Sequence, residues 1–154
     1  MNCSSPAQDD AHDALDLRMW VRLLACARII EKTLRRRFEE MDTTLPRFDA
    51  MAALDRAPRG LTMSGLSREL LVSNGNVTAI VRLLEKQGFV VVKPDPADGR
   101  ITLVSLTASG KKRFRILAKA HSGWVDEAVS GMPLEDRRHL LVLLDKLKGS
   151  LSSK

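Results

Sequence analysis

The chain has 154 residues, 44% of them hydrophobic and 29% charged, and carries a formal net charge of +6 at pH 7. This length suits one domain with a full hydrophobic core. No apolar run approaches the ~20 residues that span a bilayer, and the first ten residues lack the features of a secretory signal. We therefore expect a cytoplasmic protein with no membrane partner, and the excess of cations suits a polyanionic one.

The N-terminal third predicts a tail followed by one long helix. Residues 1–12 are polar and aperiodic, which predicts disorder. From Asp13 to about Met41, apolar residues recur at three- and four-residue steps, as in an amphipathic helix. The cations of this helix lie on the opposite face, which indicates a solvated surface, or one that holds a phosphate-bearing ligand or lies near DNA. Cys26 within it predicts a buried structural thiol, and the neighbouring arginines leave a redox role open.

The middle of the chain predicts two further helices and a short strand before the most informative segment. Thr43 and Thr44 precede a second helix that carries Pro46 in its first turn, where proline is tolerated. Residues 61–63 predict a minor third strand, and Ser64 predicts the cap of the next helix.

Residues 64–106 predict helix, tight turn, helix, strand, tight turn and strand. The second of these helices runs from about Asn74 to Gln87 and is followed by Gly88, a residue typical of helix ends. Residues 89–93 and 101–106 are β-rich, and the Asp98-Gly99 dipeptide between them indicates a hairpin. This order describes a helix-turn-helix followed by a β wing, an arrangement that reads duplex DNA.

Long amphipathic helices flank this segment at both ends of the chain. Their apolar faces exceed what a small DNA-reading unit can cover, so the sequence favours packing against a second copy. The predicted fold class is therefore mainly α with a small β wing, a winged helix-turn-helix flanked by long dimerisation helices. We expect one domain over residues 13–154, with dimerisation helices at 13–41 and 107–154 and a DNA-binding region at 44–106.

The predicted DNA-reading residues are short and polar on the recognition helix and cationic around it. Asparagine pairs with adenine, threonine contacts thymine methyl groups, and glycine permits close approach. An arginine on a thin loop suits the narrow minor groove, and an aspartate beside it can orient the guanidinium. The predicted set is Ser64, Ser67, Ser73, Asn74, Gly75, Asn76, Thr78, Arg82, Lys93, Asp98, Arg100 and Lys112, with Lys111 and Arg113 adding charge nearby.

Several phrases of the sequence resemble the MarR family of transcriptional regulators. They are Val72-Ser73, Val77-Thr78, the run from Leu84 to Gly88, Asp98-Gly99-Arg100, and Leu106-Thr107-Ala108-Ser109-Gly110. The resemblance implies a homodimer that reads a pseudo-palindromic operator in double-stranded DNA. It also implies a repressor that a small molecule releases. Two positions depart from the family pattern: Leu71 stands where the turn usually has glycine, and the wing tip has fewer arginines.

A finer likeness links the chain to the branch that controls aromatic-acid degradation, whose ligands include benzoyl- and hydroxycinnamoyl-CoA thioesters. It rests on the segments Trp20 to Leu24, Thr44 to Asp49 and Ser73 to Thr78. By this resemblance the effector lies between the dimer helices and the DNA-reading unit, in an apolar crevice with one or two cations. Plain core packing is the alternative for its apolar members. The predicted ligand-binding residues are Trp20, Arg22, Leu23, Leu24, Arg28, Arg47, Phe48 and Met51.

Other function classes find little support in the residues. The three histidines are scattered, and no nucleophile–base set or metal-ligand spacing is visible, so we expect no enzyme, no cofactor and no metal. A DNA-binding or architectural protein without a ligand stays open as the alternative function.

Overall fold

The computed structural model describes residues 6–152 of the chain. Six helices and two strands follow one another as α1 Pro6–Glu39, α2 Leu45–Asp55, α3 Met63–Leu70, α4 Asn74–Lys86, β1 Val90–Pro94, β2 Thr102–Leu106, α5 Ala108–Val129 and α6 Leu134–Ser152. The mainly helical class with one small antiparallel sheet is confirmed. This part of the chain forms two compact units, one ending at Phe114 and the other beginning at Arg115.

Helix α1 begins at Pro6, ahead of the predicted start at Asp13. It therefore takes in residues 6–12 of the stretch predicted as a disordered tail, and residues 1–5 lie outside the described part. Proline has no amide hydrogen to lose and a helical φ, so it fits the first turn. Between residues 14 and 39, the buried core residues of α1 are Leu34 and Phe38, near its far end. Cys26 is exposed, so its predicted burial is wrong.

The core of the first unit is assembled from α1, α2, α3, α4 and the sheet. The Phe48 ring of α2 stacks on Phe38 at a centroid distance of 4.8 Å and on Phe114 at 5.7 Å. Leu66 of α3, Leu84 of α4 and Val104 of β2 are fully buried beside them. These long-range contacts fasten both DNA-reading helices to the rest of the unit.

The wing is a two-stranded antiparallel hairpin, with Val90 opposite Leu106 and Pro94 opposite Thr102. The third strand predicted at residues 61–63 reduces to a single bridge between Leu61 and Val104. Strand pairing cannot extend beyond it, because Met63 already begins helix α3.

A threonine and a glycine fasten the wing to α5. The Thr107 hydroxyl donates to the Gly88 carbonyl at 2.7 Å and accepts from the Gly110 amide at 2.9 Å. A Cβ on Gly110 would lie 1.9 Å from the Phe89 carbonyl oxygen, so only glycine fits at this crossing. The Leu-Thr-x-x-Gly phrase of the sequence is therefore a structural junction.

Arg113 also serves the fold. Its guanidinium donates to the Met41 carbonyl just beyond α1, which ties the start of α5 to the end of α1. The sequence predicted it as additional charge near DNA, and this engagement with the backbone corrects that prediction.

In the second unit, Arg137 joins α6 to the turn before it and to α5. Its Nε donates to the Met132 carbonyl at 2.8 Å, and its Nη1 lies 3.2 Å from Asp126 Oδ1. Helix α6 contains no buried residue, although Leu140, Leu141, Val142, Leu143 and Leu144 run consecutively along it. A bilayer-spanning helix would need a longer apolar stretch than any helix of residues 6–152 offers.

Candidate nucleic-acid interface

Helix α3 is capped by Thr62, whose hydroxyl accepts from the Gly65 amide at 3.0 Å. The predicted cap, Ser64, lies inside the helix, and its hydroxyl is 3.3 Å from that of Thr62. The prediction was wrong because Thr62 keeps an extended backbone and points its oxygen at the free amides of the first turn. Ser64 is exposed and stays available as a predicted DNA contact.

The turn between α3 and α4 is held by the backbone and by one hydroxyl. Ser67 Oγ donates to the Val72 carbonyl at 2.6 Å, and the Val72 amide donates to the Ser67 carbonyl at 3.3 Å. Ser67, predicted to contact DNA, is thus engaged in the turn. Leu71 takes the left-handed conformation, with φ 54° and ψ 37°, which is the conformation that explains the family's usual glycine at this position.

Helix α4 presents a row of small polar groups at its N-terminus. Ser73 is the N-cap as predicted, and its oxygen lies 3.5 Å from the Asn76 amide. Asn74, Gly75 and Asn76 are all exposed. The Thr78 hydroxyl donates to the Asn74 carbonyl at 2.9 Å. Because the hydroxyl is engaged within the helix, the methyl group is the part of this side chain available for a contact outside the chain.

Gly75 stands out among these residues because nothing in the chain requires it. A Cβ built on Gly75 would have no atom within 4 Å, and its φ is not positive. Glycine inside a helix costs roughly 0.5–1 kcal/mol relative to alanine. The folded chain therefore leaves open space at Gly75, which a partner can approach closely.

The wing tip owes its shape to its aspartates. Asp98 Oδ1 accepts from the Arg100 amide at 3.0 Å, and Asp95 Oδ1 accepts from the Ala97 amide at 2.8 Å. The sequence predicted instead that Asp98 orients the Arg100 guanidinium. Since the carboxylate serves the backbone, Asp98 shapes the loop and the guanidinium is exposed at its tip.

Four of the predicted cations lie on α4, on the wing and at the start of α5. Arg82, Lys93, Arg100 and Lys112 are exposed, and among the ion pairs of the described residues none includes them. A cation without a carboxylate partner is free to meet a phosphate. The described part of the chain thus combines hydrogen-bonding side chains, a helix N-terminus and unpaired cations.

The predicted ligand-binding residues differ widely in burial. Phe48 and Met51 are buried in the core of the first unit, which agrees with the alternative of plain packing. Leu23, Leu24 and Arg47 are half-buried, whereas Arg22 and Arg28 are exposed and Trp20 is 55% exposed. Of these eight residues, Arg28 lines a groove on α1, and the grooves beside Pro46 and Ala52 contain none of them.

A shallow groove lies on α1. It has a volume of about 500 Å³ and is lined by Arg28, Glu31, Lys32, Arg35, Arg36 and Glu39. Arg35 pairs with Glu31 at 3.2 Å, while Arg28 and Lys32 enter none of the ion pairs found in residues 14–152. The groove is therefore a cationic surface. Arg28, Lys32 and Arg36 belong to the cationic face that the sequence predicted for this helix, and Arg28 was also among the predicted ligand-binding residues.

Comparison with known proteins agrees with this geometry. The model of the MarR family matches residues 41–101. The chain is 33% identical to the transcriptional activatory protein BadR of Rhodopseudomonas palustris over 92% of its length and 87% of the relative.

Solved structures give the same result. A MarR family transcriptional regulator from Silicibacter pomeroyi is 30% identical, with a TM-score of 0.76, over 96% of this chain and 99% of the other. BpsR of Bordetella bronchiseptica, solved in a study of how 6-hydroxynicotinic acid regulates its DNA binding, shares the fold at 18% identity, with a TM-score of 0.72 over 82% and 89% of the two chains. These relatives are transcriptional regulators and not enzymes. The chain belongs to the MarR family of DNA-binding transcriptional regulators.

Proposed function

We propose that this protein is a homodimeric regulator that binds a pseudo-palindromic operator and changes its DNA affinity when a small anionic effector binds. The observation that carries the proposal is the exposed N-terminus of α4, with Asn74 and Asn76 in its first turn, together with an exposed and unpaired wing arginine, Arg100. Amide side chains suit base edges in the major groove, and an arginine on a projecting loop suits the minor groove.

The apolar surface of the terminal helices supports the homodimer. Leu140, Leu141 and Leu144 of α6 are 44%, 60% and 37% exposed, and Leu15 and Leu17 of α1 are above 60%. Exposed apolar surface of this extent marks an interface. A two-fold dimer would cover it and would set two recognition helices for half-sites about one helical turn apart.

The α1 groove supports an anionic effector. Arg28 and Lys32 contribute two unpaired cations, and the half-buried Leu24 lies one turn before Arg28 on the same side of α1. The phosphates of a CoA thioester would meet the cations, and its aromatic acyl group would lie against apolar surface. The aromatic class itself rests on the resemblance of the sequence segments, and BpsR shows that an aromatic acid regulates DNA binding within this fold.

The sign of control depends on where the operator lies relative to the promoter. The resemblance implies repression, and we keep a repressor as the proposal. The relative that is 33% identical is described as an activatory protein, so transcription from the bound promoter is the deciding measurement.

The first experiment is selection of bound fragments from the sheared genome of the host by the purified protein. We expect enrichment of one palindrome with half-sites about one helical turn apart. The double variant Asn74→Ala/Asn76→Ala is the control, and we expect it to lose the enrichment while it stays folded. Recovery of fragments without any shared sequence would contradict a sequence-specific regulator.

The effector is then tested by fluorescence anisotropy on the selected operator with benzoate, benzoyl-CoA and CoA alone. Release by benzoyl-CoA, weakened in an Arg28→Ala/Lys32→Ala variant, would support a thioester held through its phosphates. Release by benzoate that the variant leaves unchanged would favour the free acid. A flat response to metabolites, with intact operator binding, selects the alternative of a ligand-independent DNA-binding or architectural protein.

A further inference from the structure

Leu71, in the turn of the helix-turn-helix, has no role inside the folded chain. Its side chain is 92% exposed, the highest value among the exposed large hydrophobic residues of the described chain. A leucine so exposed contributes almost nothing to burial. The neighbouring leucine, Leu70, is half-buried, so the exposure is specific to position 71.

The backbone of Leu71 adds a second cost. Its φ of 54° lies in the left-handed region, which costs a residue with a Cβ roughly 1–2 kcal/mol and costs glycine almost nothing. The turn does not depend on the side chain, because it is held by the Ser67 hydroxyl and by backbone bonds from the amides of Leu71 and Val72. Glycine would therefore form the same turn at lower free energy.

A strained residue whose side chain meets only water indicates a partner outside the chain. Leu71 lies two residues before Ser73, the N-cap of α4, and therefore beside the polar row that faces DNA under the proposed function. Apolar side chains contact duplex DNA through thymine methyl groups and through the carbons of deoxyribose. The exposed Arg68 precedes Leu71 by three residues, and its carbonyl accepts from the Leu71 amide. A cation next to an exposed apolar group makes a nucleic acid the occupant that fits this surface.

We propose that Leu71 is a DNA-contacting residue that packs on an apolar group of the operator beside the recognition helix. This inference rests on the proposed function. It gives the turn a direct role in DNA binding, in addition to its role of setting the spacing between α3 and α4.

The test compares Leu71→Gly and Leu71→Asn with the wild type in operator binding and in thermal unfolding. Both substitutions suit a left-handed backbone and remove the apolar side chain. We expect an unchanged or raised Tm and an operator affinity about fourfold lower per half-site, the weight of one methylene-sized contact. The control is Asp42→Gly, because within residues 6–152 Asp42 is the other non-glycine residue with a positive φ, at 53°. This variant should match the wild type in DNA affinity.

Two DNA probes identify the apolar group. An operator with deoxyuridine in place of thymidine removes the methyl groups: if wild type loses affinity on it and Leu71→Gly does not, the partner is a thymine methyl. If Leu71→Gly weakens operator and scrambled duplex by the same factor, the partner is deoxyribose. Both results support the inference.

Three results would overturn it. Wild-type affinity in Leu71→Gly would remove the contact. A lowered Tm in that variant would show that the leucine stabilises the fold instead. If the wild-type protein binds no duplex, this inference and the proposed function are both wrong. If the protein binds its operator specifically and Leu71→Gly does not change the affinity, only this inference is refuted.

Discussion

Gly75 gives the sharpest prediction about a single residue. Gly75→Ala should raise the stability by about 0.5–1 kcal/mol, because alanine is the better helix former and its Cβ meets no atom of the chain. The same methyl group should weaken operator binding, since it stands where DNA approaches. Thermal unfolding and anisotropy measure the two effects. Gly123→Ala on α5 is the matched control, also in open space, and should alter stability without altering DNA affinity. Unchanged operator affinity in Gly75→Ala would contradict close approach.

Arg100 gives a prediction about charge. Arg100→Ala should weaken operator binding and reduce the slope of log affinity against log salt by about 1, because one phosphate-reaching cation is lost. The loop should keep its shape, since Asp98 holds the Arg100 amide and not the guanidinium. Arg138→Ala on α6 removes one charge far along the sequence and is the control. Wild-type salt dependence in Arg100→Ala would exclude the wing from phosphate binding.

At the scale of elements, the junction of the wing with α5 depends on a close crossing. Gly110→Ala would place a Cβ 1.9 Å from the Phe89 carbonyl oxygen, and neither backbone can yield without losing the Thr107 hydrogen bonds. We expect a destabilisation of about 2–3 kcal/mol, measured by urea unfolding. Gly131→Ala, where the Cβ meets no atom, is the control. Equal stability of the two variants would show that the crossing is not tight.

The facing surfaces of α1 and α2 give a prediction about pH. Burial raises the pKa of the Asp49 carboxyl, Glu31 raises it further, and Arg56 lowers it. The pKa of Asp49 in the folded state lies above the unfolded value of 3.8, so the folded state binds more protons. The free energy of unfolding therefore falls as the pH rises from about 3.8 through the folded pKa. Asp49→Asn should therefore raise Tm at pH 7 more than at pH 3.5. An equal change at both pH values would contradict the shift.

At the scale of the whole molecule, the exposed apolar stripe of α6 predicts the site of self-association. Leu140 and Leu144 are one turn apart on the same side of the helix, so Leu140→Glu/Leu144→Glu should give monomers in sedimentation velocity. Val142 lies about 200° from Leu140 at 100° per residue, so Val142→Glu should stay dimeric. If the double variant still forms dimers, the dimer interface lies elsewhere on the molecule. Loss of the dimer should also lower operator affinity, because each half-site is then bound separately.

The element order could be read from the sequence because its signals are local. Helix α4 was predicted to within one residue, since a serine cap and a following glycine mark its ends within its own segment. The wing strands were likewise placed to within a residue. Two of the predictions that failed concerned hydrogen-bond partners: Thr62 in place of Ser64 as a cap, and Asp98 bound to an amide in place of a guanidinium. Several oxygens compete for each donor, and only the folded backbone selects among them.

The sequence by itself determined the family, the order of the elements and the chemistry of the recognition helix, because periodicity, capping and turn preferences act over a few residues. The tertiary structure decided which apolar residues are core and which are surface. Phe48 and Met51 became interior, while Trp20, Leu71 and the α6 leucines stayed exposed. An amphipathic pattern shows only that a residue is apolar. Whether it is buried depends on which distant element packs against it, and that is a property of the fold.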